Sequence, residues 1–526
     1  MTDERGTSQA VLAFLAAPAS YPHPVESVEH EQTHISHLFF AGDFVYKVKK
    51  PVDLGFLDFT TLEKRKAACE AEVTLNRRIA PDVYLGVEPI RRGPAGLAFD
   101  GDGEVVEYVV RLRRLPAEWR LSSAVDDGTV EPDTLRRLGR RVAEFHRRAE
   151  TSPEIARFGS LEVVGGNCRE NFEQTAAYIG RTIDDEAWRE TREEVEGALR
   201  VYAHVFERRV AEGWIRDCHG DLLLEDIFVD PESGAIHVLD CIEFNDRFRY
   251  SDTVADVAFL SMDLRNRGRD DLAEVLLDAY FKASDDERHG MLLAFYECYR
   301  AYVRGKVRSF VTDQEGPTEG ERRRAAEQAA RYFRLAHRLA RRIRPRLVVV
   351  GGLMGSGKST LATNLARAAR APLVQSDRVR KALAGLAAET PQRVGFGEGI
   401  YSPEWTARTY ETMLEEAADA LADGRSVVLD ATWSKAKWRA AARETAESSG
   451  ALLVLVECVA PPEVMRRRLS RRRPGTRPTD GRLELLEPQR AAFEPPTADE
   501  ADRYLSVETT GDPNALAARV YAEAFS

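Results

Sequence analysis

The sequence has no long apolar run, few cysteines and little lysine, and each shortage closes off a class of protein. No stretch approaches the roughly 18 consecutive apolar residues that a membrane span requires. The longest candidates, LVVVGGLM from Leu347 and ALLVLVECVA from Ala451, read as buried strands. The six cysteines (Cys69, Cys168, Cys218, Cys241, Cys298, Cys458) stand far apart with no CxxC pair. That argues against a disulfide framework or zinc ribbon and fits a reducing cytoplasm. Only 11 of the 75 basic residues are lysine, a bias toward arginine that reads as genomic composition. Acidic residues number 86, and the net charge of −11 disfavours a nucleic-acid-coating role without excluding a local basic site. AVLAFLAAPA from Ala10 mimics a signal core, but Asp3 and Glu4 give its leader the wrong polarity, so a short amphipathic helix is expected there.

What is present is a soluble globular composition, 43% hydrophobic and 31% charged, in a chain of 526 residues that is too long for one ordinary core. Pattern divides it. From about His30 to Leu115, alternating runs such as Phe44-Val45-Tyr46-Lys47-Val48 predict strands around one helix. Helices dominate from Thr134 to about Val311, with loops and short strands near Cys218–Asp240. A charged helix is expected from Gly320 to Arg344, with Ala329, Phe333, Ala336, Ala340 and Ile343 on one stripe and Pro345 ending it. Beyond it, βα alternation predicts a parallel sheet flanked by helices. Charge divides at the same place: residues 345–526 carry 25 basic and 24 acidic residues, a net of +1, against −12 for the remainder.

The strongest motif is Gly352-Leu353-Met354-Gly355-Ser356-Gly357-Lys358-Ser359-Thr360, a GxxxxGK[ST] phosphate loop between an apolar strand and a helical run. Its glycines let successive backbone N–H groups surround a β-phosphate at a helix N-terminus. Lys358 is placed to reach the β/γ-phosphates and Ser359 to ligate Mg²⁺. Asp377 follows a second apolar strand, with Arg380 three residues on, and Asp430 ends another. Chemistry in open α/β sheets gathers at carboxyl strand ends, so these acids are expected to meet the loop. Arg468 and Arg472 lie four apart on one helix face and can clamp a transferring phosphoryl group. The bland alternatives are a helix N-cap for Asp377 and a solvated face for the arginines.

From about Arg346 to Pro496 the chain resembles the small-molecule P-loop kinases of the gluconate kinase, polynucleotide 5′-kinase and zeta-toxin kind. The resemblance implies that Asp377, in an Asp-x-x-Arg with Arg380, accepts the acceptor hydroxyl's proton. It also makes the Met465–Arg473 helix a lid, with Gln489-Arg490 in the helix after it.

Further upstream, Cys218-His219-Gly220-Asp221 through Asp226, followed by Ile236–Asp240, resembles the HGD…N…D core of the aminoglycoside phosphotransferase family, a branch of the protein-kinase-like bilobal fold. The match spans roughly His30 to Val311. It implies that Asp221 takes the hydroxyl proton, that Asp226 and Asp240 hold Mg²⁺, and that Lys47 pairs the α/β-phosphates. Glu72 would hold that lysine, with Glu70 the runner-up. Three departures stand out: Asp226 replaces the usual Asn, Leu223 replaces a frequent His, and only Gln32 to His37 could cover the phosphates. His219 also reads as a structural histidine, Lys47 as an exposed strand-edge lysine, and Phe295, Tyr299 and Tyr302 as core.

The order of modules resembles a bacterial family of two-kinase fusions. The expected architecture is an α/β and α+β multidomain chain. An N-terminal segment at 1–29 precedes a kinase-like domain at 30–316, a linker helix at 317–345 and a P-loop kinase domain at 346–526. The expected activity is ATP- and Mg²⁺-dependent transfer to a hydroxyl of a sugar-like, aminoglycoside-like or nucleotide-like small molecule, in the cytoplasm. No membrane, nucleic-acid or obligate protein partner is inferred. Two rivals remain: catalysis by the C-terminal half alone beside a binding or regulatory pseudokinase, and a non-catalytic ATP switch, which would have no use for Asp377.

Overall fold

The computed structural model describes residues 2–55, 57–392, 394–471 and 480–525. It divides into two compact units: residues 1–166 with 207–287, and residues 167–206 with 288–526.

The first unit opens with the expected helix, Thr2–Ala16, followed by strands β1 (Val28–Gln32), β2 (Ser36–Ala41), β3 (Phe44–Lys49), β4 (Tyr84–Gly93), β5 (Gly96–Ala98) and β6 (Glu104–Arg113). They form one antiparallel sheet ordered β1-β2-β3-β6-β4-β5. Strand alternation sorts its two faces. Phe39, Tyr46, Val48 and Val109 pack with Val11 and Leu15, one turn apart on the first helix. On the other face Val45, Val110 and Leu112 meet Cys69 and Val73 of the helix Leu62–Asn76. Thr61 starts that helix by accepting a hydrogen bond from the backbone N–H of Lys64.

The rest of this unit is helical, with Pro132–Arg148, Thr253–Asn266 and Asp270–Ser284 carrying most of it. The Thr253–Asn266 helix is buried from Thr253 through Arg265, so it runs through the core and every polar side chain on it needs a partner. Short strand pairs cross the intervening loops: β7 (Ile215–Asp217) with β10 (Tyr250–Asp252), and β8 (Ile227–Val229) with β9 (Ile236–Val238).

The second unit contains a parallel sheet of β11 (Arg346–Gly351), β12 (Leu373–Gln375), β13 (Val427–Asp430), β14 (Leu452–Val459) and β15 (Arg503–Glu508), ordered β12-β13-β11-β14-β15. All of β11 is buried, as expected of a central strand covered on both faces. Val349 and Leu429 face one core with Met413 and Trp433, and Val348 and Val428 face the other with Leu361 and Val520. The helices Asp185–Val201, Gly290–Val311 and Glu319–Ala340 belong to the same unit. Tyr202 donates to the Ser449 carbonyl at 3.1 Å, and Arg344 pairs with Glu194 at 2.9 Å. The charged helix ends at Ala340, four residues short of the expected Arg344. Its C-cap, Arg341, donates its N–H to His337 and Leu339, and the residue before a proline disfavours helical geometry. The stripe stands, with Ala329, Phe333, Ala336, Ala340 and Ile343 all buried. Phe295 and Tyr302 are core residues, as expected, whereas Tyr299 between them is only partly buried.

All six cysteines are free and buried. Among the described residues no helix is long and apolar enough to cross a membrane.

Candidate functional site

In the second unit, β11 runs into a loop that only glycine can follow. Gly352, Gly355 and Gly357 have φ of +132°, +82° and +94°. A Cβ on Gly352 would stand 2.5 Å from the Cys458 carbonyl oxygen. The loop is braced from three sides. The N–H of Met354 donates to Gln489 at 2.7 Å, that of Gly352 to the Thr432 carbonyl at 3.1 Å, and Arg468 donates to the Gly355 carbonyl at 3.1 Å. Helix Lys358–Ala369 then begins with no side chain capping it, which leaves its first-turn amides for an anion.

Below the loop lies a cavity of about 1240 Å³ lined by Gly355, Gly357, Lys358, Ser359 and Thr360, together with Asp377, Asp430 and Arg468. Gly352, Met354 and Ser356 shape the loop without lining the cavity. Asp430, at the end of β13, is 4% exposed; its Oδ2 accepts from Gln375 at 3.0 Å, and its buried Oδ1 has no partner among the described residues. An orphaned carboxylate oxygen on the same cavity as the Ser359 hydroxyl fits a hard divalent cation with oxygen ligands, so Mg²⁺ suits this donor set.

Asp377 is the second residue of the helix Ser376–Leu383. The N-cap position is Gln375, which makes no side-chain cap bond, so Asp377 is not the cap. Arg380 goes elsewhere. It is buried, donates to the Ile400 carbonyl at 2.8 Å, and lies over the Tyr401 ring at 4.7 Å. The cavity is lined instead by Arg378. Arg468 is committed to the Gly355 carbonyl and to Thr509, which makes it a brace of the loop as well as a cation of the cavity. Arg472 lies outside the described residues.

In the first unit the ion pairs are denser. Lys47 projects from β3, an inner strand, and reaches Glu72 at 2.8 Å and Asp240 at 2.7 Å. Its side chain is 12% exposed, which removes the strand-edge reading. Burial works against its charge, but Asp240 and Glu72 more than offset this and hold the ammonium well above the ordinary lysine range. Lys47 in turn holds Asp240, whose side chain is 55% exposed, below the usual carboxylate range. Glu72 also pairs at 2.5 Å with Lys49, which is fully buried and joined to Glu243. Glu70 pairs with the exposed Lys66 instead.

The loops bearing the other acids are laced together. The Leu239 N–H donates to the Asp226 carbonyl at 3.0 Å, that of Ile242 to the His219 carbonyl, and the His219 ring contacts the Leu239 carbonyl at 3.0 Å. His219 is fully buried, and that burial pulls its pKa down, in keeping with a structural role. Gly220, with φ +91°, permits the turn before Asp221; a Cβ there would meet the Phe248 carbonyl at 2.8 Å. Asp221 and Asp226 are half-buried, and Asp240, which is exposed, adopts φ +65°. The Tyr84 hydroxyl accepts the Asp240 N–H and the Asn76 side chain accepts the Cys241 N–H, tying this loop to the sheet and its helix.

Sequence reasoning missed Lys49, Glu243 and Thr509, and the buried Asp256; Gln489 was placed in the helix after the lid, but not as a brace of the loop. Asp256 accepts from the backbone N–H groups of both His219 and Gly220, at 3.0 and 2.8 Å, and contacts His146 at 3.0 Å. The i, i+2 spacing of Lys47 and Lys49 on one strand face was the only available signal for the first.

A family model described as "Phosphotransferase enzyme family" matches residues 59–293, and one described as "AAA domain" matches residues 347–496. Among solved structures, a choline/ethanolamine kinase family protein from Mesorhizobium loti is 15% identical over 63% of this chain and 99% of its own, with a TM-score of 0.36. A gluconokinase from Sinorhizobium meliloti is 22% identical over 34% of this chain and 95% of its own, with a TM-score of 0.23. The uncharacterized protein Rv2004c of Mycobacterium tuberculosis is 34% identical over 457 residues, 86% of this chain and 88% of the relative, and a protein of Mycobacterium bovis matches equally. With both modules matched in the expected order, this chain belongs to the same family as these mycobacterial proteins, a phosphotransferase-type module followed by an AAA-domain P-loop module.

Proposed function

We propose that the chain is an ATP-dependent phosphotransferase whose C-terminal module moves the γ-phosphoryl group of ATP to a hydroxyl of a small molecule, with a second Mg²⁺–ATP site in the N-terminal module. The observation that carries this reading is the single cavity lined by Lys358, Ser359, Asp430 and Asp377. The loop amides and Lys358 hold the phosphates, while Ser359 and Asp430 would hold Mg²⁺, which would neutralise charge on the β- and γ-oxygens. Asp377 takes the acceptor hydroxyl's proton as its oxygen bonds to the γ-phosphorus and the bond to the β,γ-bridging oxygen breaks. A regulatory switch would need the first three residues and not the fourth.

In the N-terminal module, Asp221 would serve as base, Lys47 would bind phosphates under the hold of Glu72, and Asp226 and Asp240 would hold the metal. The pairing of Lys47 with Glu72 and Asp240 supports a nucleotide-binding arrangement there.

The test is an ATP-consumption screen of the full-length protein over sugars, aminoglycosides and nucleosides. Lys358→Ala is expected to lower acceptor-dependent turnover by the C-terminal module about a hundredfold or more. Asp377→Asn is expected to keep ATP binding while the rate falls by roughly 10²–10⁴. Turnover unchanged in both variants but abolished by Asp221→Asn would move the reaction to the N-terminal module.

A further inference from the structure

Four arginines line the C-terminal cavity: Arg378, Arg468, Arg471 and Arg482. Arg468 is tied to Gly355 and Thr509, and Arg482 to the Val394 carbonyl and Glu484, while Arg471 is exposed with nothing among the described residues orienting its guanidinium. Arg378 is different. Its Nε donates to the Gln375 side-chain oxygen at 2.9 Å, and the Gln375 amide nitrogen donates to Asp430 at 3.0 Å. Both bonds are served by one orientation of the amide, so a relay from the buried Asp430 fixes the guanidinium plane. The two terminal nitrogens of Arg378 carry no hydrogen bond or ion pair among the described residues. The residue is adjacent to Asp377, and both line the cavity.

We infer that the phosphoryl acceptor is an anion, and that Arg378 receives its carboxylate or phosphate group so that its hydroxyl lies toward Asp377. The inference rests on the proposed function and names the substrate class for that site. A planar guanidinium held at Nε presents its remaining donors as a fork that matches two oxygens of a carboxylate or phosphate. A neutral polyol offers no charge to such a fork. The Asp-x-x-Arg spacing pointed to Arg380, but that side chain is occupied by Ile400, Thr406 and Tyr401, and the recognition role passes to its neighbour two residues earlier.

The experiment uses the full-length protein saturated with a non-hydrolysable ATP analogue and Mg²⁺. Gluconate, inorganic phosphate and uncharged glucose are then titrated by calorimetry. At least one anion should bind about tenfold or more tightly than glucose, and Arg378→Gln should weaken that anion by about tenfold or more while analogue affinity stays unchanged. Arg378→Lys should restore only part of the loss, because a point charge replaces a fork. Gluconate and phosphate together separate a carboxylate from a phosphate specificity. Absence of binding by both anions to the analogue-loaded protein, or equal binding by Arg378→Gln, overturns the inference. A wild-type protein that binds the analogue no better than Lys358→Ala would instead overturn the nucleotide site itself.

Discussion

At the scale of single residues, Glu72 is the pivot of the N-terminal site, because one buried carboxylate serves both Lys47 and Lys49. Two lysines thus face three acids, Glu72, Asp240 and Glu243, and the half-buried Asp226 lies alongside. The surplus of negative charge calls for a cation before a triphosphate can approach. Calorimetry with ATP should therefore find binding at this site strongly Mg²⁺-dependent when the C-terminal loop is disabled by Lys358→Ala. Asp226→Asn should weaken that dependence without abolishing binding, and Asp240→Ala should abolish the metal-assisted part. Lys47, Glu72 and Asp240 were named through the family resemblance, with Glu70 the runner-up, and the structure brings the three together. Lys49 was not named, because nothing in a run of three nearby lysines says which one the fold will seal from water.

A second residue-scale prediction concerns the hairpin. His30 and His37 lie 3.0 Å apart, nitrogen to nitrogen, and burial, with Lys50 and His30 nearby, pulls the His37 pKa down to about 4. Between its ordinary value near 6.5 and about 4 the unfolded chain binds the proton and the folded chain does not. Stability from this residue is therefore present at neutral pH and is lost as pH falls through that window. Urea unfolding at pH 7 and pH 5 should show a smaller drop for His37→Gln than for the wild type; an equal drop would exclude the residue as a source.

At the scale of elements, the Thr253–Asn266 helix acts as a jig for the HGD loop. Asp256 and Asp263 are seven residues apart, two turns along one face. Asp256 accepts the N–H groups of His219 and Gly220 at one end of the loop, and Asp263 accepts that of Leu224 at the other. Asp221 lies between the two anchors. Asp256→Ala leaves two buried backbone donors and His146 without their acceptor, and should cost about 3 kcal/mol or more of stability, read as a lowered urea midpoint. Loss below about 1 kcal/mol would mean the loop holds its shape unaided. Sequence pattern identified this stretch as helix but read its acids only as charge. What they bind lies more than thirty residues away, and no local periodicity encodes that. The opposite holds for the phosphate loop, where the glycines, lysine and serine are contiguous and the motif carries its own geometry.

At the scale of the whole molecule, the sequence reading divided the chain where composition and charge change, near Pro345. The parallel sheet does begin there. Compactness divides the chain differently, however, and groups residues 167–206 and 288–340 with the sheet. Amphipathic helices advertise that they will be covered, not by what. The covering contacts are specific: Arg344 with Glu194, His337 with Glu190 at 2.7 Å, and Tyr202 with the Ser449 carbonyl.

The division into 1–166 with 207–287 and 167–206 with 288–526 means that the backbone threads from one unit to the other three times. Severing it once cannot free either unit. A nick by trypsin at Arg288, in the turn before the Gly290–Val311 helix, would leave residues 167–206 on the N-terminal piece, still paired through Glu190, Glu194 and Tyr202 to the C-terminal piece. The two fragments should co-elute from a sizing column as one particle and part only in denaturant. Fragments that drift apart in plain buffer would show that those seams are too weak to hold. If they hold, the fold has a form of insurance common to interlaced chains: a single scission marks the protein without dismantling it.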